Sequence, residues 1–294
     1  MFIGGSACNN PSVSESFVLT LSCLDRPGIV RALAEGVVAA GGNIVESAQF
    51  SDPVTGLFCV RTHFDAPGRV LAEVEDIVAG RLAPYQPRLT LRPADRRCRV
   101  AIMVSRFDHC LVDLLYRWYL GELEIDVPVI ISNHPDARGA AERYGIPFVH
   151  IPVTRDTKAQ AEQALFEQIE EHQIDLVVLA RYMQVLSDDA CVRLGGRAIN
   201  IHHSFLPGFK GAKPYHQAYE RGVKLIGATA HYVTSDLDEG PIIEQDVVRV
   251  SHAQDAETMV SIGRDVERVV LARAVKLHSQ DRVLLAGSRT VVFS

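Results

Sequence analysis

The chain has 294 residues, of which 47% are hydrophobic and 22% are charged, and its formal net charge is -6. This length suits one large domain or two modest ones with a sizeable core. The mild acidic balance excludes a general nucleic-acid binder, which needs a basic face. An acidic small molecule is compatible, because a local basic pocket can lie on an acidic protein.

Targeting and redox features are few. No apolar stretch reaches about 18 residues, so we predict no transmembrane helix and no membrane partner. Residues 1–16 lack a basic region and a long apolar run, and we interpret them as a flexible lead-in rather than a signal peptide. The six cysteines form no C-x-x-C pair and lie mostly in apolar runs. That pattern indicates reduced thiols and a cytoplasmic location.

Residues 15–92 carry the pattern of a small domain. Four strands are predicted, at 17–22, from Ile44, at 56–65 and at 87–93. The first helix follows the turn Asp25-Arg26-Pro27-Gly28, and its apolar residues recur at helical spacing: Ile29, Leu33, Val37 and Val38. Gly41-Gly42-Asn43 ends it, and a second helix is predicted over 67–80. The order βαββαβ is that of a ferredoxin-like split βαβ unit.

Residues 92–99 are polar and charged, and we interpret them as a linker between domains. Beyond them, strands alternate with helices. The predicted strands are 99–105, 126–133, 146–153, 174–180 and 196–203, and the predicted helices are 108–120, 135–145 and 157–172. A strand pair, 224–234 and 241–250, and a long helix, 255–280, complete the domain over 98–294. This alternation predicts a Rossmann-like, mostly parallel sheet flanked by helices.

Polar side chains interrupt the apolar segment AINIHH, residues 198–203. In a strand, Asn200 and His202 share one face and His203 points to the other. Leu206-Pro207 ends the segment. Open parallel sheets bind ligands beyond the carboxyl ends of their strands. We therefore expect Asn200 and His202 to project together into a cleft.

A second polar cluster lies downstream, with His231 in a strand and Asp236 and Asp238 in the following loop. An amide, an imidazole and a carboxylate are sufficient for acyl hydrolysis or acyl transfer. Asn200 can donate to a developing oxyanion. His202 can hand a proton to a leaving nitrogen. Asp238 can orient the imidazolium or deprotonate the attacking group.

Other interpretations of these residues stay open at this point. Ser204 lacks the G-x-S-x-G elbow of a serine hydrolase. His203, His216 and His231 can each be structural residues. A zinc site built from His202, His203, His231 and Asp238 is conceivable. No H-E-x-x-H or H-x-E motif accompanies it, so we expect no metal.

The segment INIHHSFLP and the residues after it carry the pattern N-x-H-x-S-x-L-P, then F-x-G, H-x-V and D-x-G-x-I-I. This pattern resembles the signature of the folate-dependent formyltransferase superfamily, and the resemblance extends over 98–294. Residues 17–92 resemble an ACT domain, with Asp-Arg-Pro-Gly after the first strand and Gly-Gly-Asn-Ile after the first helix. This order of domains resembles that of the superfamily's hydrolases.

The resemblance implies hydrolysis of 10-formyltetrahydrofolate to formate and tetrahydrofolate, which supplies formate for purine synthesis and balances the one-carbon pool. It implies that Asn200, His202 and Asp238 are catalytic, with His231 as possible support. The folate is the substrate, and no cofactor is expected. The resemblance also implies a folate-binding set: Arg181, Tyr182, Met183, Gln184, Val185, Leu186, Phe209 and Gly211.

One loop departs from the superfamily's transferases. Those acting on glycinamide ribonucleotide carry a glycine-rich phosphate cradle after the first strand of the domain, where backbone N–H groups approach phosphate. Here the loop VSRFDHCLVDLL, residues 104–115, has no glycine. This favours water as the acceptor over an amine, the alternative being a folate-dependent formyltransferase. Arg106 and His109 lie in this loop without an assigned role.

The ACT-like domain predicts regulation or assembly. An amino-acid effector, glycine or methionine, is implied near Asp25, Arg26, Pro27, Gly28 and Asn43. The alternative is an oligomerisation module without a ligand, and we expect a homodimer or homotetramer. A third hypothesis, a catalytically idle folate or amino-acid sensor, is disfavoured by the presence of Asn200, His202 and Asp238 together.

Overall fold

The computed structural model describes residues 14–208 and 214–294. Most of the predicted lead-in therefore lies outside the described residues. The chain forms two compact units, the first ending at Arg96 and the second beginning at Arg97. The boundary falls within the predicted linker, residues 92–99. No helix in the described ranges is long and apolar enough to cross a membrane.

The first unit is a four-stranded antiparallel sheet with two helices. Its elements are β1 (Ser14–Leu24), α1 (Ile29–Ala39), β2 (Asn43–Ser51), β3 (Leu57–Arg69), α2 (Leu71–Leu82) and β4 (Arg88–Pro93). The strand order is β2-β3-β1-β4, which confirms the predicted ferredoxin-like arrangement. Phe17, Leu19, Phe64 and Val78 are fully buried in its core.

Two details of the first unit differ from the sequence prediction. Val38 is 72% exposed, because the buried face of α1 runs through Ile29, Ala32, Leu33, Gly36 and Val37. The second helix begins at Leu71 rather than at 67, because β3 continues to Arg69 and pairs there with the start of β1. Gly68 has φ +76°, a backbone conformation that a right-handed helix excludes.

The second unit alternates strands and helices. The strands are β5 (Cys98–Val104), β6 (Ile125–Ser132), β7 (Phe148–His150), β8 (Leu176–Leu179), β9 (Ala198–His202), β10 (Leu225–Tyr232) and β11 (Ile242–Arg249). The helices are α3 (His109–Tyr119), α4 (Arg138–Arg143), α5 (Lys158–Glu171), α6 (Asp188–Arg193), α7 (Pro214–Glu220) and α8 (Ala256–Ser279). A hairpin of β12 (Val283–Ala286) and β13 (Arg289–Val292) follows α8. The sequence prediction missed α6, α7 and this hairpin.

The seven-stranded sheet has the order β11-β10-β9-β8-β5-β6-β7. Strands β5 to β9 pair in parallel, and β10 and β11 are antiparallel additions beyond β9. The predicted Rossmann-like architecture is therefore confirmed. The carboxyl ends of β5, β8 and β9 lie side by side, which brings the segments that follow these three strands together at one edge.

The core of the second unit offers a matched test of this packing. Leu114 of α3 is 1% exposed within the main core, whereas Leu120, just past the helix, is 51% exposed. We expect Leu114→Ala to lower the free energy of unfolding by about 2–5 kcal/mol, because it leaves a cavity. Leu120→Ala should change it by less than about 0.5 kcal/mol. The fluorescence of the single tryptophan, Trp118 on α3, reports denaturant unfolding of this unit. Equal losses in the two variants would contradict the packing.

Candidate active site

Asn200 and His202 lie at the carboxyl end of β9. Strand β9 lies between parallel β8, where Leu179 pairs with Asn200, and antiparallel β10, where Thr229 pairs with His202. The neighbours on both sides are buried strands, so β9 has little freedom to slip in register. The structure thus fixes the two predicted catalytic side chains at the carboxyl end of a central strand.

The orientation of the Asn200 amide depends on His231, which pairs with Asn200 across the β9–β10 ladder. His231 Nδ1 lies 2.9 Å from the carbonyl oxygen of Tyr232, and a carbonyl accepts, so Nδ1 carries the proton. Burial lowers the pKa of His231, which keeps its ring neutral. Nε2 is then an acceptor and receives the Asn200 Nδ2–H at 3.3 Å. The second amide N–H is left for another acceptor.

His202 and Asp238 form a hydrogen-bonded pair in the site. His202 Nδ1 lies 3.2 Å from Asp238 Oδ1, and both side chains are buried. Burial alone would raise the pKa of Asp238, but the hydrogen bond and the electrostatic contribution of His202 outweigh it and the pKa is lowered. The carboxylate is therefore ionised, and it contacts His202 through Nδ1. His231 Nε2 is 3.8 Å from the same oxygen, so His231 positions Asn200 rather than Asp238.

The loop that carries Asp238 returns closely past β10. A Cβ added at Gly240 would lie 1.7 Å from the Tyr232 carbonyl oxygen, so glycine is required at this close approach. Asp238 has φ +58°, an uncommon conformation for a residue other than glycine. Such strain persists where the surroundings determine it, as at functional sites. The D-x-G sequence therefore serves to aim one carboxylate at His202.

A cavity of about 260 Å³ opens beside these groups. Its walls include Asn200, His202, His231 and Asp238 together with the segment after β8, which is residues Arg181, Tyr182, Met183, Gln184, Val185 and Leu186. The structure thus brings the predicted catalytic residues together with six of the eight predicted folate-binding residues. The other two, Phe209 and Gly211, lie outside the described residues.

His203 also lines this cavity, although the strand pattern predicted that it points to the opposite face. The reason is that β9 ends at His202, so the alternation of faces stops there. Burial and the charge of Arg181 lower the pKa of His203 to about 3, and its ring is neutral. Its centroid is 5.2 Å from the His202 ring and 6.1 Å from the Tyr215 ring.

In both candidate metal sets, some of the potential ligand atoms already contact other protein groups. In the predicted set, both ring nitrogens of His231 are used by Tyr232 and Asn200. Within the described residues, His109, Cys110 and Glu267 also place potential ligand atoms within 4.8 Å of one another. Arg181 and Tyr215 already contact that carboxylate, and burial raises the pKa of the Cys110 thiol well above its usual value.

Two groups of polar residues near the site were missed by the sequence reasoning. Ser105 and Asn133 are buried at the ends of β5 and β6 and hydrogen bond to each other. Glu267, on α8, is 1% exposed and contacts His109, Arg181 and Tyr215. Glu267 occurs among other charged residues in the sequence RDVERVV, so its burial has no clear signal there.

The predicted effector residues of the first unit do not form one cluster within that unit. Asp25 accepts a hydrogen bond from Ser51, and Arg26 donates to the carbonyl oxygen of Pro84 at 2.6 Å. Gly28, with φ +97°, begins α1. Asn43 lies beyond the other end of this 11-residue helix, about 16 Å away along its axis.

Comparison with known proteins gives consistent matches. The family model for formyl transferase matches residues 98–275. A formyltetrahydrofolate deformylase of Synechocystis sp. is 49% identical over 278 residues, which cover 94% of this chain and 98% of the relative. The crystal structure of formyltetrahydrofolate deformylase from Burkholderia mallei has a TM-score of 0.91 and 50% identity, covering 95% of this chain and 100% of that chain. Glycinamide ribonucleotide transformylase 1 from Symbiobacterium toebii has a TM-score of 0.63 and 30% identity, covering 67% of this chain and 95% of that one.

The lowered pKa of His203 predicts a pH dependence of stability. Its pKa is about 3 when folded and 6.5 at the reference value, so between these pH values the unfolded chain binds the extra proton. Stability should therefore fall as pH drops, with His203 accounting for about 2 kcal/mol between pH 8 and pH 5. Urea unfolding followed by Trp118 fluorescence should show a smaller loss over this range in His203→Gln. An identical loss in both proteins would contradict the assignment.

Proposed function

This chain belongs to the formyl transferase family and, within it, to the formyltetrahydrofolate deformylases, and we propose that Asn200, His202 and Asp238 carry its reaction. The enzyme is a hydrolase that converts 10-formyltetrahydrofolate and water into formate and tetrahydrofolate. One observation supports the assignment of residues above all. The amide, the imidazole and the carboxylate line one cavity beside the segment Arg181 to Leu186, with His202 and Asp238 in contact.

The mechanism assigns one task to each group. The ionised Asp238 holds His202 Nδ1 and attracts the water that attacks the formyl carbon. The Asn200 amide and the His202 Nε2–H donate to the oxyanion as it forms, an interaction that strengthens in the transition state. As the bond from carbon to N10 breaks, His202 passes a proton to N10. Asp238 accepts the proton that the attacking water loses and later releases it to solvent. The formic acid leaves as formate, and its proton restores the proton that His202 gave to N10.

Water as the acceptor is consistent with the loop after β5. This loop has no glycine to let backbone N–H groups approach a phosphate, and the first residue of α3, His109, is bonded to the buried Glu267. A nucleotide acceptor has no such cradle here. Water needs none. The alternative, transfer to an amine acceptor, is not favoured.

Cofactors and cellular context complete the proposal. The chemistry is assigned to side chains of the chain itself, with folate as substrate and not as cofactor. The described cysteines, Cys23, Cys59, Cys98, Cys110 and Cys191, carry free thiols, which supports a cytoplasmic location. The formate released would supply purine synthesis and balance the one-carbon pool.

The first unit is proposed to be an ACT-type regulatory module that binds glycine or methionine. The edge strand β2 supports assembly into a homodimer or homotetramer. Its apolar residues Val45 and Phe50 are exposed, and within residues 14–208 and 214–294 the only strand paired with β2 is β3. Exposed edge strands of this kind are templates for pairing with another chain.

The proposed roles predict the effect of three substitutions. Asn200→Ala, His202→Ala and Asp238→Asn should each lower kcat by about 10²–10³-fold, the loss typical of removing an oxyanion donor or its support. Formate and tetrahydrofolate are measured without added amine. The matched control is Glu239→Gln, because Glu239 is an exposed carboxylate in the same loop that does not line the cavity, and this variant should lose less than about threefold. Wild-type turnover in any two of the three variants would refute the assignment.

The regulatory proposal predicts an effect of amino acids on turnover. Addition of glycine or methionine should change the rate of formate release in the intact protein, in a manner that saturates with concentration. Alanine is the control amino acid. A rate of formate release that neither glycine nor methionine changes would refute the regulatory role. Assembly would then remain as the role of the first unit.

A further inference from the structure

Glu267 is a buried carboxylate that the proposed mechanism does not use. It lies in the middle of α8 and is 1% exposed. Burying an ionised carboxylate is costly unless it is paired and hydrogen bonded. The groups that pair with Glu267 therefore indicate its role.

The partners of Glu267 come from three separate segments around the site. His109 Nε2, at the start of α3, lies 2.9 Å from Glu267 Oε2. The Tyr215 hydroxyl of α7 donates to Oε1 at 2.9 Å. Arg181 Nε, just after β8, lies 3.4 Å from Oε2. One carboxylate thus ties together the segments that follow β5, β8 and β9.

Helix α8 is shaped to receive Tyr215. Gly263 precedes Glu267 by four residues, so the two share one face of the helix. A Cβ at Gly263 would lie 2.1 Å from the Tyr215 ring. The glycine makes room for the ring, and the glutamate binds its hydroxyl. Tyr215 in turn stands 6.1 Å from His203, whose ring is 5.2 Å from that of His202.

Arg181 gives Glu267 a direct link to the cavity. Arg181 and His203 line the cavity, whereas Glu267 and Tyr215 lie behind this wall. Arg181 has φ +65° and is one of the few described residues other than glycine with a positive φ. Among the described residues, Arg181 Nε has no hydrogen-bond partner. Its position is therefore fixed by electrostatic attraction to the Glu267 carboxylate, 3.4 Å away. Strain of this kind persists only where the surroundings impose it.

A second, separate anchor holds the same cavity segment two residues further along. The Ser105 hydroxyl accepts the Met183 N–H at 2.9 Å and donates to Asn133 Oδ1 at 2.6 Å. Ser105 and Asn133 are both buried. None of the contacts described for these two residues involves Glu267. The Ser105 backbone N–H also donates to the Arg181 carbonyl oxygen at 3.3 Å, a bond that a substitution of the Ser105 side chain leaves in place. The cavity segment is therefore fixed by two different polar side chains, Glu267 at Arg181 and Ser105 at Met183.

We propose that Glu267 and Ser105 position different parts of the site. Glu267 holds Arg181 and, through Tyr215, His203 beside the reacting groups, and so determines turnover. Ser105, with Asn133, holds the part of the segment that faces the folate, and so determines substrate affinity. This inference rests on the proposed function.

The test is a double dissociation between two variants of the full-length protein. Glu267→Gln should lower kcat at least tenfold with KM changed less than threefold. Ser105→Ala should raise KM at least fivefold with kcat changed less than threefold. Glu257→Gln is the matched control, because Glu257 is an exposed glutamate on the same helix, and it should match the wild type. Trp118 fluorescence confirms that each variant is folded.

Two outcomes would overturn the proposal: a Glu267→Gln variant whose kcat stays within twofold of wild type, or the same kcat and KM pattern in both variants. If Glu267→Gln does not fold, Tyr215→Phe replaces it, since it removes one hydroxyl from the same carboxylate. It should lower kcat at least threefold with KM unchanged, and an unchanged kcat refutes the role of Glu267.

Binding of tetrahydrofolate, measured by titration calorimetry, separates this inference from the proposed function. Ser105→Ala should weaken binding at least fivefold, and Glu267→Gln should leave it within threefold of wild type. These values are obtained whether or not the wild type releases formate. A wild type that binds tetrahydrofolate but releases no formate refutes the proposed function, and equal weakening in both variants refutes the division of the anchors.

Discussion

The antiparallel pairing of β10 with β9 is the constraint from which the site follows. It places His231 opposite Asn200, and the bond from His231 Nδ1 to its neighbouring carbonyl then decides which nitrogen accepts. His231 Nε2, the accepting nitrogen, orients the Asn200 amide in the absence of substrate. A slip of one residue in this register would turn His231 to the other face and release the amide.

Buried charge is the second theme of the active unit. Asp238 and Glu267 are both carboxylates whose burial would raise the pKa, and in both the partners outweigh burial and lower it. Asp238 obtains this stabilisation from His202, and Glu267 obtains it from His109, Arg181 and Tyr215. Each charge is thereby kept in a place where it orients an imidazole or a guanidinium. Burying these carboxylates costs folding stability, and it preorganises the polar groups at the edge of the sheet where the reaction takes place.

Much of the fold and the centre of the site could be predicted from the sequence. Patterns of apolar and polar residues are local features, so the succession of strands and helices along both units and the strand end at Asn200 and His202 could be predicted. The order of the strands within each sheet was not predicted, because it depends on pairing between distant segments. The exposure of Val38 and the extension of β3 were not, because they depend on helix packing and on pairing with β1. The task of His231 depends on a partner 31 positions away. Glu267 looks like a solvated charge in the sequence, and only the fold around it shows that it is buried.

The central claim is that amide, imidazole and carboxylate act on one formyl group. The most direct measurement is a crystal structure of the protein with a stable 10-formyl analogue of the folate substrate. The account predicts the formyl oxygen within about 3.2 Å of Asn200 Nδ2 and His202 Nε2, with a water molecule between Asp238 and the formyl carbon. A formyl group bound beyond hydrogen-bonding reach of all three side chains would contradict it.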